Sequence, residues 1–163
     1  MELTTLDCIN PQELKILSWL EANKLTNMFS DFISRSDAYS RLISGIVGWQ
    51  WEDEFRTLCE LRGFVCEHAP LGQRYDLMVN SYKVQCKSSF ATCSIDIRNK
   101  DKENNRRYLP GDFDFMAIYS NEEVYVVPIS SLLDDTLTKT RASARIDFLQ
   151  PFKDNFGVFN ANI

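Results

Sequence analysis

The sequence predicts a mixed α/β (α+β) domain, with a central β-sheet flanked by helices and an N-terminal helical extension. Three observations lead there. Residues 75–79 and 82–87 alternate apolar and polar side chains around Asn80-Ser81, the pattern of a hairpin with a short turn. Residues 112–119 and 123–128 form a second run of strand formers, broken at Ser120-Asn121-Glu122. Between these strands and the N-terminus, apolar residues recur at helical spacing.

Taken in order, residues 10–22 read as a helix. Asn10 can cap it, Pro11 suits the first helical position, Glu13 completes a capping-box-like spacing, and Leu14, Leu17 and Leu20 make a stripe. Residues 27–47 carry a second, weaker helical pattern with a break available near Ser34–Asp37. We read residues 1–47 as the extension and 48–163 as the main domain. Residues 49–62 form the next helix, stopped by Gly63, with Trp51, Phe55 and Leu58 centring its buried stripe. Glu52 and Glu54 flank that stripe on opposite sides, and Asp53 points away. A strand over Phe64–His68, a loop with Pro70 and Gly72, the hairpin and a possible strand over Thr92–Arg98 follow. After the second strand pair, a short helix starts at Ser130–Leu133. From Thr136 to Ile163 the chain reads as polar and loop-like.

The hairpin holds the chemistry. With a two-residue turn, Val79 pairs with Tyr82 and Asp76 lies opposite Gln85. Side chains alternate between faces of a strand. Tyr75, Leu77, Val79, Val84 and Cys86 then face a core, while Asp76, Met78, Lys83, Gln85 and Lys87 share the other face. Lys87 is diagonal to Asp76, within reach of a common metal or phosphate. A one-residue slip would bury the polar set. A carboxylate, a carboxamide and a lysine on one face suit metal-assisted phosphodiester cleavage. A solvated hairpin face with a charge pair is the plainer alternative.

Composition narrows the classes. A chain of 163 residues suits one domain with a real core. No apolar run approaches the roughly 20 residues of a membrane span, and Met1–Thr5 lacks a signal-peptide core. The five cysteines are odd in number, scattered and without a C-x-x-C pair, which reads as reduced intracellular thiols. A net charge of −5 argues against bulk non-specific nucleic-acid binding. Residues 98–107 nevertheless hold five cations against two anions, so a local basic face is available. The single histidine, His68, is expected to be structural or exposed. It cannot supply HNH or His-Me nuclease sites, zincin sites or Ser-His and Cys-His triads. No Gly-rich phosphate loop is present.

The ordered series Gly48-x-x-x-Glu52, Arg62-Gly63-Phe64, Arg74-Tyr75-Asp76-Leu77, Val84-Gln85-Cys86-Lys87-Ser88, Tyr108 and Gly111-Asp112-Phe113-Asp114-Phe115 leading to Tyr125-Val126-Val127-Pro128 resembles the PD-(D/E)xK, or restriction-endonuclease-like, nuclease superfamily. It is most similar to the branch with Gln-x-Lys in place of Asp/Glu-x-Lys, which includes bacterial and phage intron-encoded homing endonucleases. The resemblance spans roughly residues 45–130. It implies a restriction-endonuclease-like core and a metal-dependent, site-specific endonuclease acting on double-stranded DNA in the cytoplasm of a bacterial or phage-infected cell. It makes Asp76 the metal-binding aspartate, Glu52 the helix glutamate, Gln85 the replacement for the second acidic ligand and Lys87 the lysine that orients water and stabilises phosphate charge. Ser88 and Tyr108 become candidate phosphate contacts. Arg98, Lys100, Lys102, Arg106 and Arg107, with the region around Lys139-Thr140-Arg141, become candidate DNA readers.

Two departures from the family pattern stand out. Tyr75 replaces the usual proline. Gln85 removes a charge, so Mg²⁺, with Mn²⁺ as substitute, would lean on Asp76, Glu52, the Cys86 backbone carbonyl, water and substrate phosphate. Cutting both strands implies a homodimer or homotetramer. A restriction enzyme, a Holliday-junction-type nuclease and a catalytically silent nucleic-acid-binding protein of the same fold remain alternatives.

Overall fold

The computed structural model describes residues 18, 36–99 and 107–160, those of 36–44 by backbone alone. The helix expected over 10–22 falls outside this set, except for Ser18, which is helical. The chain divides into two compact units, Met1–Trp49 and Gln50–Ile163.

Helix α1 runs unbroken from Ser36 to Glu60 and crosses that division. Two separate helices were expected, meeting near Gly48. A glycine inside a helix costs about 1 kcal/mol but does not break it. Neither Gly45 nor Gly48 leaves the right-handed region. Gly63 does, at φ 85°. Around it the Gly63 N–H bonds the Glu60 carbonyl at 2.9 Å and the Phe64 N–H bonds the Cys59 carbonyl at 3.1 Å, a Schellman ending.

The central sheet is mixed, with order β1-β2-β3-β5-β6. Its strands are β1 (Cys66–His68), β2 (Leu77–Val79), β3 (Tyr82–Ser89), β5 (Phe115–Ser120) and β6 (Glu123–Pro128). Strands β3 and β5 are parallel and the other neighbours antiparallel. The hairpin takes the expected register, Val79 opposite Tyr82 and Leu77 opposite Val84. Its turn residue Asn80 sits at φ 52°. There it is pinned three ways. Its N–H donates to the Val65 carbonyl at 2.7 Å, its Oδ1 accepts the Val65 N–H at 3.0 Å, and its Nδ2 donates to the Phe159 carbonyl at 3.0 Å. The β5–β6 turn is tighter than expected. Ser120 pairs with Glu123, leaving Asn121 and Glu122, both at positive φ, as a two-residue turn.

Strand β4 (Ser94–Asp96) lies in the region expected, but it pairs with β7 (Ser143–Arg145) in a second, two-stranded sheet. Helix α2 spans Ile129–Leu132. The stretch from Thr136, expected to be loop, contains β7, helix α3 (Ile146–Leu149) and 3-10 turns at Gln150–Phe152 and Phe156–Asn160. These pieces are three to five residues long, too short to show a period. Burial of Ala144, Leu149, Phe156 and Phe159 holds them.

Two cores cover the two faces of the central sheet. One gathers Trp51, Phe55 and Cys59 of α1 with Leu77, Val79, Val84, Cys86, Ala117, Phe156 and Phe159. The Trp51 indole N–H donates to the Ala117 carbonyl at 3.1 Å and ties α1 to the sheet. The expected stripe residue Leu58 is only partly buried, and Cys59 takes its place. The other core gathers Met116, Ile118 and Tyr125 with Ile95, Ile97, Tyr108, Phe113, Leu132 and Leu149. Tyr75 was expected beside Leu77, yet it packs on this second core. It precedes the first paired residue, Leu77, so strand alternation does not govern it. The cysteines Cys59, Cys66, Cys86 and Cys93 are free. No helix among the described residues is long and apolar enough to cross a membrane.

Candidate active site

The site is assembled by three neighbouring pieces of backbone. Residues just before β2 present Asp76, β3 presents Gln85 and Lys87, and α1 presents Glu52. Backbone bonds hold Asp76 just ahead of the paired ladder. The Asp76 N–H donates to the Val84 carbonyl at 2.9 Å, and the Asp76 carbonyl accepts the Ala69 N–H at 2.9 Å. The first bond goes to the partner of Leu77, one residue out of the hairpin register, and the Asp76 side chain still reaches Gln85. Its Oδ2 accepts Gln85 Nε2 at 2.5 Å and the Cys86 N–H at 2.7 Å. Gln85 Nε2 also donates to the Cys86 carbonyl at 3.2 Å.

Two carboxyl groups share this half-buried space, and both are harder to ionise than usual. Burial, then the charge of Asp76, raises Glu52 to about 7. Burial raises Asp76 too. The Cys86 N–H, the Lys87 charge, the Gln85 amide and His68 oppose that rise without cancelling it. Glu54, the other helix candidate, is exposed and its charge acts on Tyr119 instead.

Lys87 Nζ donates to the backbone carbonyl of Arg98 at 2.9 Å. The Arg98 guanidinium is occupied by Asp96, with Nε on Oδ1 at 3.0 Å and Nη2 on Oδ2 at 2.8 Å. Arg98 thus meets the site through its carbonyl. A backbone acceptor has no sequence signature, so inspection of residue types could not have found it.

The remaining candidates are dispersed. Ser88 is half-buried on β3. Tyr108 is buried, its ring edge-on to Phe113 at 5.0 Å, and its N–H donates to Thr140 Oγ1. Arg107 pairs with Asp134 at 3.3 Å. Lys100, Lys102 and Arg106 lie outside the described residues. In the Lys139–Arg141 region, Thr140 is buried and Arg141 stacks 5.0 Å from the Phe148 ring while donating to the Leu133 carbonyl. Lys139 is exposed. His68 is exposed at the end of β1.

Among the described residues no group of three or more His, Cys, Asp or Glu side chains converges. The Asp76 carboxylate, the Gln85 carboxamide and the Cys86 carbonyl lie together, and the Glu52 carboxyl is near enough to feel the charge of Asp76; all are hard donors that suit Mg²⁺ or Mn²⁺ with several retained waters. Two acids held above their usual range, each penalised by burial, are what a divalent charge would relieve. The residues fit the ion.

No family model matches the chain, and no curated protein matches it. Among solved structures it is similar to the bacterial homing endonuclease I-Ssp6803I, with a TM-score of 0.55 and 20% identity over 71% of this chain and 91% of that one. At that identity the likeness concerns architecture, and the chain has a homing-endonuclease-like α+β fold built on the five-stranded mixed sheet.

Proposed function

We propose that this chain is a metal-dependent DNA endonuclease of the PD-(D/E)xK type, with Gln85 in the second acidic position, that cuts double-stranded DNA at a specific site in the manner of a homing endonuclease. The observation that carries the reading is the bond between Asp76 and Gln85 at the hairpin, with Lys87 and Glu52 near enough for their charges and that of Asp76 to act on one another, supported by the fold's likeness to a bacterial homing endonuclease.

Asp76 and Glu52 would hold Mg²⁺ or Mn²⁺, with Gln85 and the Cys86 carbonyl beside them. When bound, the ion polarises the scissile phosphate and lowers the pKa of a water. Gln85 holds Asp76 in one orientation through its amide. Lys87, whose ammonium has three donors, positions the attacking water and balances charge gathering on the phosphate oxygens. Two strands require two such sites, hence a homodimer or homotetramer.

The test is cleavage of supercoiled plasmid and of mixed phage and bacterial genomic DNA with Mn²⁺, Mg²⁺ or EDTA. Wild type is expected to cut only with metal. Lys87→Ala is expected to bind DNA yet cut on the order of 10²–10³ more slowly, the usual cost of one preorganised charge-stabilising group. Cutting by Lys87→Ala at the wild-type rate overturns the assignment.

One observation favours a second reading, a silent nucleic-acid-binding protein. Asp76 Oδ2 is engaged by both Gln85 and Cys86. Calorimetry decides between the readings: no Mn²⁺ uptake dependent on Asp76 selects the silent form.

A further inference from the structure

We propose that Asp96 is a positioning residue for Lys87, acting through the backbone of Arg98. The turn that Asp96 closes on Arg98, mounted on the small β4–β7 sheet, presents the carbonyl that receives the lysine. The catalytic consequence rests on the nuclease reading; the geometry does not.

Asp96 makes three bonds to one residue. Its Oδ1 accepts the Arg98 backbone N–H at 3.0 Å and Nε at 3.0 Å, and its Oδ2 accepts Nη2 at 2.8 Å. The N–H bond is an Asx-type turn, which sets the local backbone, and the guanidinium fork fixes the carboxylate plane. The arginine's hydrogen bonds hold Asp96 down at about 2, so it is charged at any working pH.

The frame behind the turn is rigid. Ile95 and Ile97 on either side of Asp96 are fully buried. The Ile97 N–H donates to the Ala142 carbonyl at 3.1 Å, and Asp96 pairs with Ser143 across β7. The lysine's base is fixed independently, because Lys87 sits in the β3 ladder opposite Ile118 of β5. The Arg98 carbonyl fixes its other end at 2.9 Å. A flexible four-carbon stem anchored at its base and bonded at its tip has fewer places for its ammonium. The Asp96–Arg98 pair is about a third exposed on each side. Pairs so exposed add little stability, and its value here lies in the conformation it imposes.

The experiment measures Lys87 directly. Metal-free wild type, Asp96→Ala and Asp96→Asn are acylated with an amine-reactive anhydride at one fixed pH. Peptide mass spectrometry then compares Lys87 with exposed Lys139. Lys87 is expected to react about fivefold faster in Asp96→Ala, the factor for losing one ordinary hydrogen bond. Asp96→Asn keeps an oxygen for the Arg98 N–H and is expected to stay within about twofold of wild type. In steady-state cleavage, Asp96→Ala lowers kcat and leaves KM for DNA unchanged, and Asp96→Asn keeps kcat near wild type.

Equal Lys87 acylation in wild type and a folded Asp96→Ala overturns the proposal. If Asp96→Ala loses its near-ultraviolet circular dichroism, Asp96→Ser takes its place. A Lys87 rate between those of wild type and freely exposed Lys139 supports the proposal, and a wild-type rate overturns it. A wild type that cuts no DNA but shows the acylation difference defeats the nuclease reading and keeps the positioning role. Metal-dependent cutting without that difference does the reverse.

Discussion

On the face of β3 turned toward α1, Val84 and Cys86 are 0% and 8% exposed and lie in the same core as Leu77, Trp51 and Phe55. On the opposite face, Gln85 and Lys87 are half-buried and bonded to Asp76 and to the Arg98 carbonyl. One strand serves both. Its apolar side fixes the register, because a slip of one residue would exchange the two sets. The polar side inherits its geometry from that register. The first face carries stability, and the second gives up some of it to hold the Asp76 carboxyl in a space that penalises its charge.

Separate damage to the two faces should break the comparison apart. Phe55 is fully buried, with Trp51 at 5.5 Å and Phe156 at 5.6 Å between ring centres. Phe55→Ala is expected to lose about 3–5 kcal/mol in urea unfolding, while molecules that remain folded still cut DNA. Loss of cutting beyond the loss of folded protein would show that the faces are not separable. Asp76→Asn should do the opposite. Plasmid nicking with Mn²⁺ is expected to fall by on the order of 10²–10³, with metal-free stability unchanged within about 1 kcal/mol.

Gln85→Glu sharpens the contrast, since it replaces a donor to Asp76 with a third anion. Metal-free stability at alkaline pH should fall by about 1–3 kcal/mol, and calorimetry should show tighter Mn²⁺ binding. Unchanged metal affinity would speak against this cluster as the ligand set.

Next in size is a pH effect. Glu52 is raised from 4.5 to about 7 by burial and by Asp76. Cys86 of β3, itself pushed up by burial, feels the charges of both acids. A folded-state value above the unfolded one means that Glu52's protonated form favours folding. Its contribution is fully present below about 4.5 and is lost as pH rises through about 7. Urea unfolding of metal-free protein should therefore weaken from pH 5 to pH 8 by on the order of 1 kcal/mol, after allowance for Glu52's partial exposure. Glu52→Gln should flatten the curve, and an equally sloped curve in that variant would move the effect to other groups. The smallest effect belongs to neither face. Arg145 and Asp147 form an exposed pair at 3.3 Å, and Arg145→Ala should shift unfolding by under about 0.5 kcal/mol.

The hairpin, the end of α1 and the β5–β6 pair were legible in the sequence because each carries its own local rule. Those rules are period-two alternation, a glycine at positive φ and a short polar turn. The grouping of Asp76, Gln85 and Lys87 followed from register alone. Tyr75 was misplaced because it stands outside the ladder whose alternation was applied to it. The pieces after Thr136 were missed because Ala144, Leu149, Phe156 and Phe159 are ordered by distant partners and not by a period of their own. The continuity of α1 through Gly48 was missed because residues 27–47 and 49–62 were read as two helices, whereas a glycine inside a helix weakens it without ending it.

The pinning of Asn80 bears on where this molecule can accept foreign sequence. Exposed loop tips are the usual sites for grafts, labels and circular permutation. The tip at residues 80–81 is instead a junction. Opening it would release Val65 ahead of β1 and Phe159 in the last 3-10 turn together. The segment Pro70–Gln73 is the better port. Its Leu71 is fully exposed, its backbone closes on itself through Gln73 N–H to Pro70, and it lies a few residues before Asp76. A fluorophore there would report on the site without cutting into its support, and thermal melts of insertions at the two places should rank them in that order.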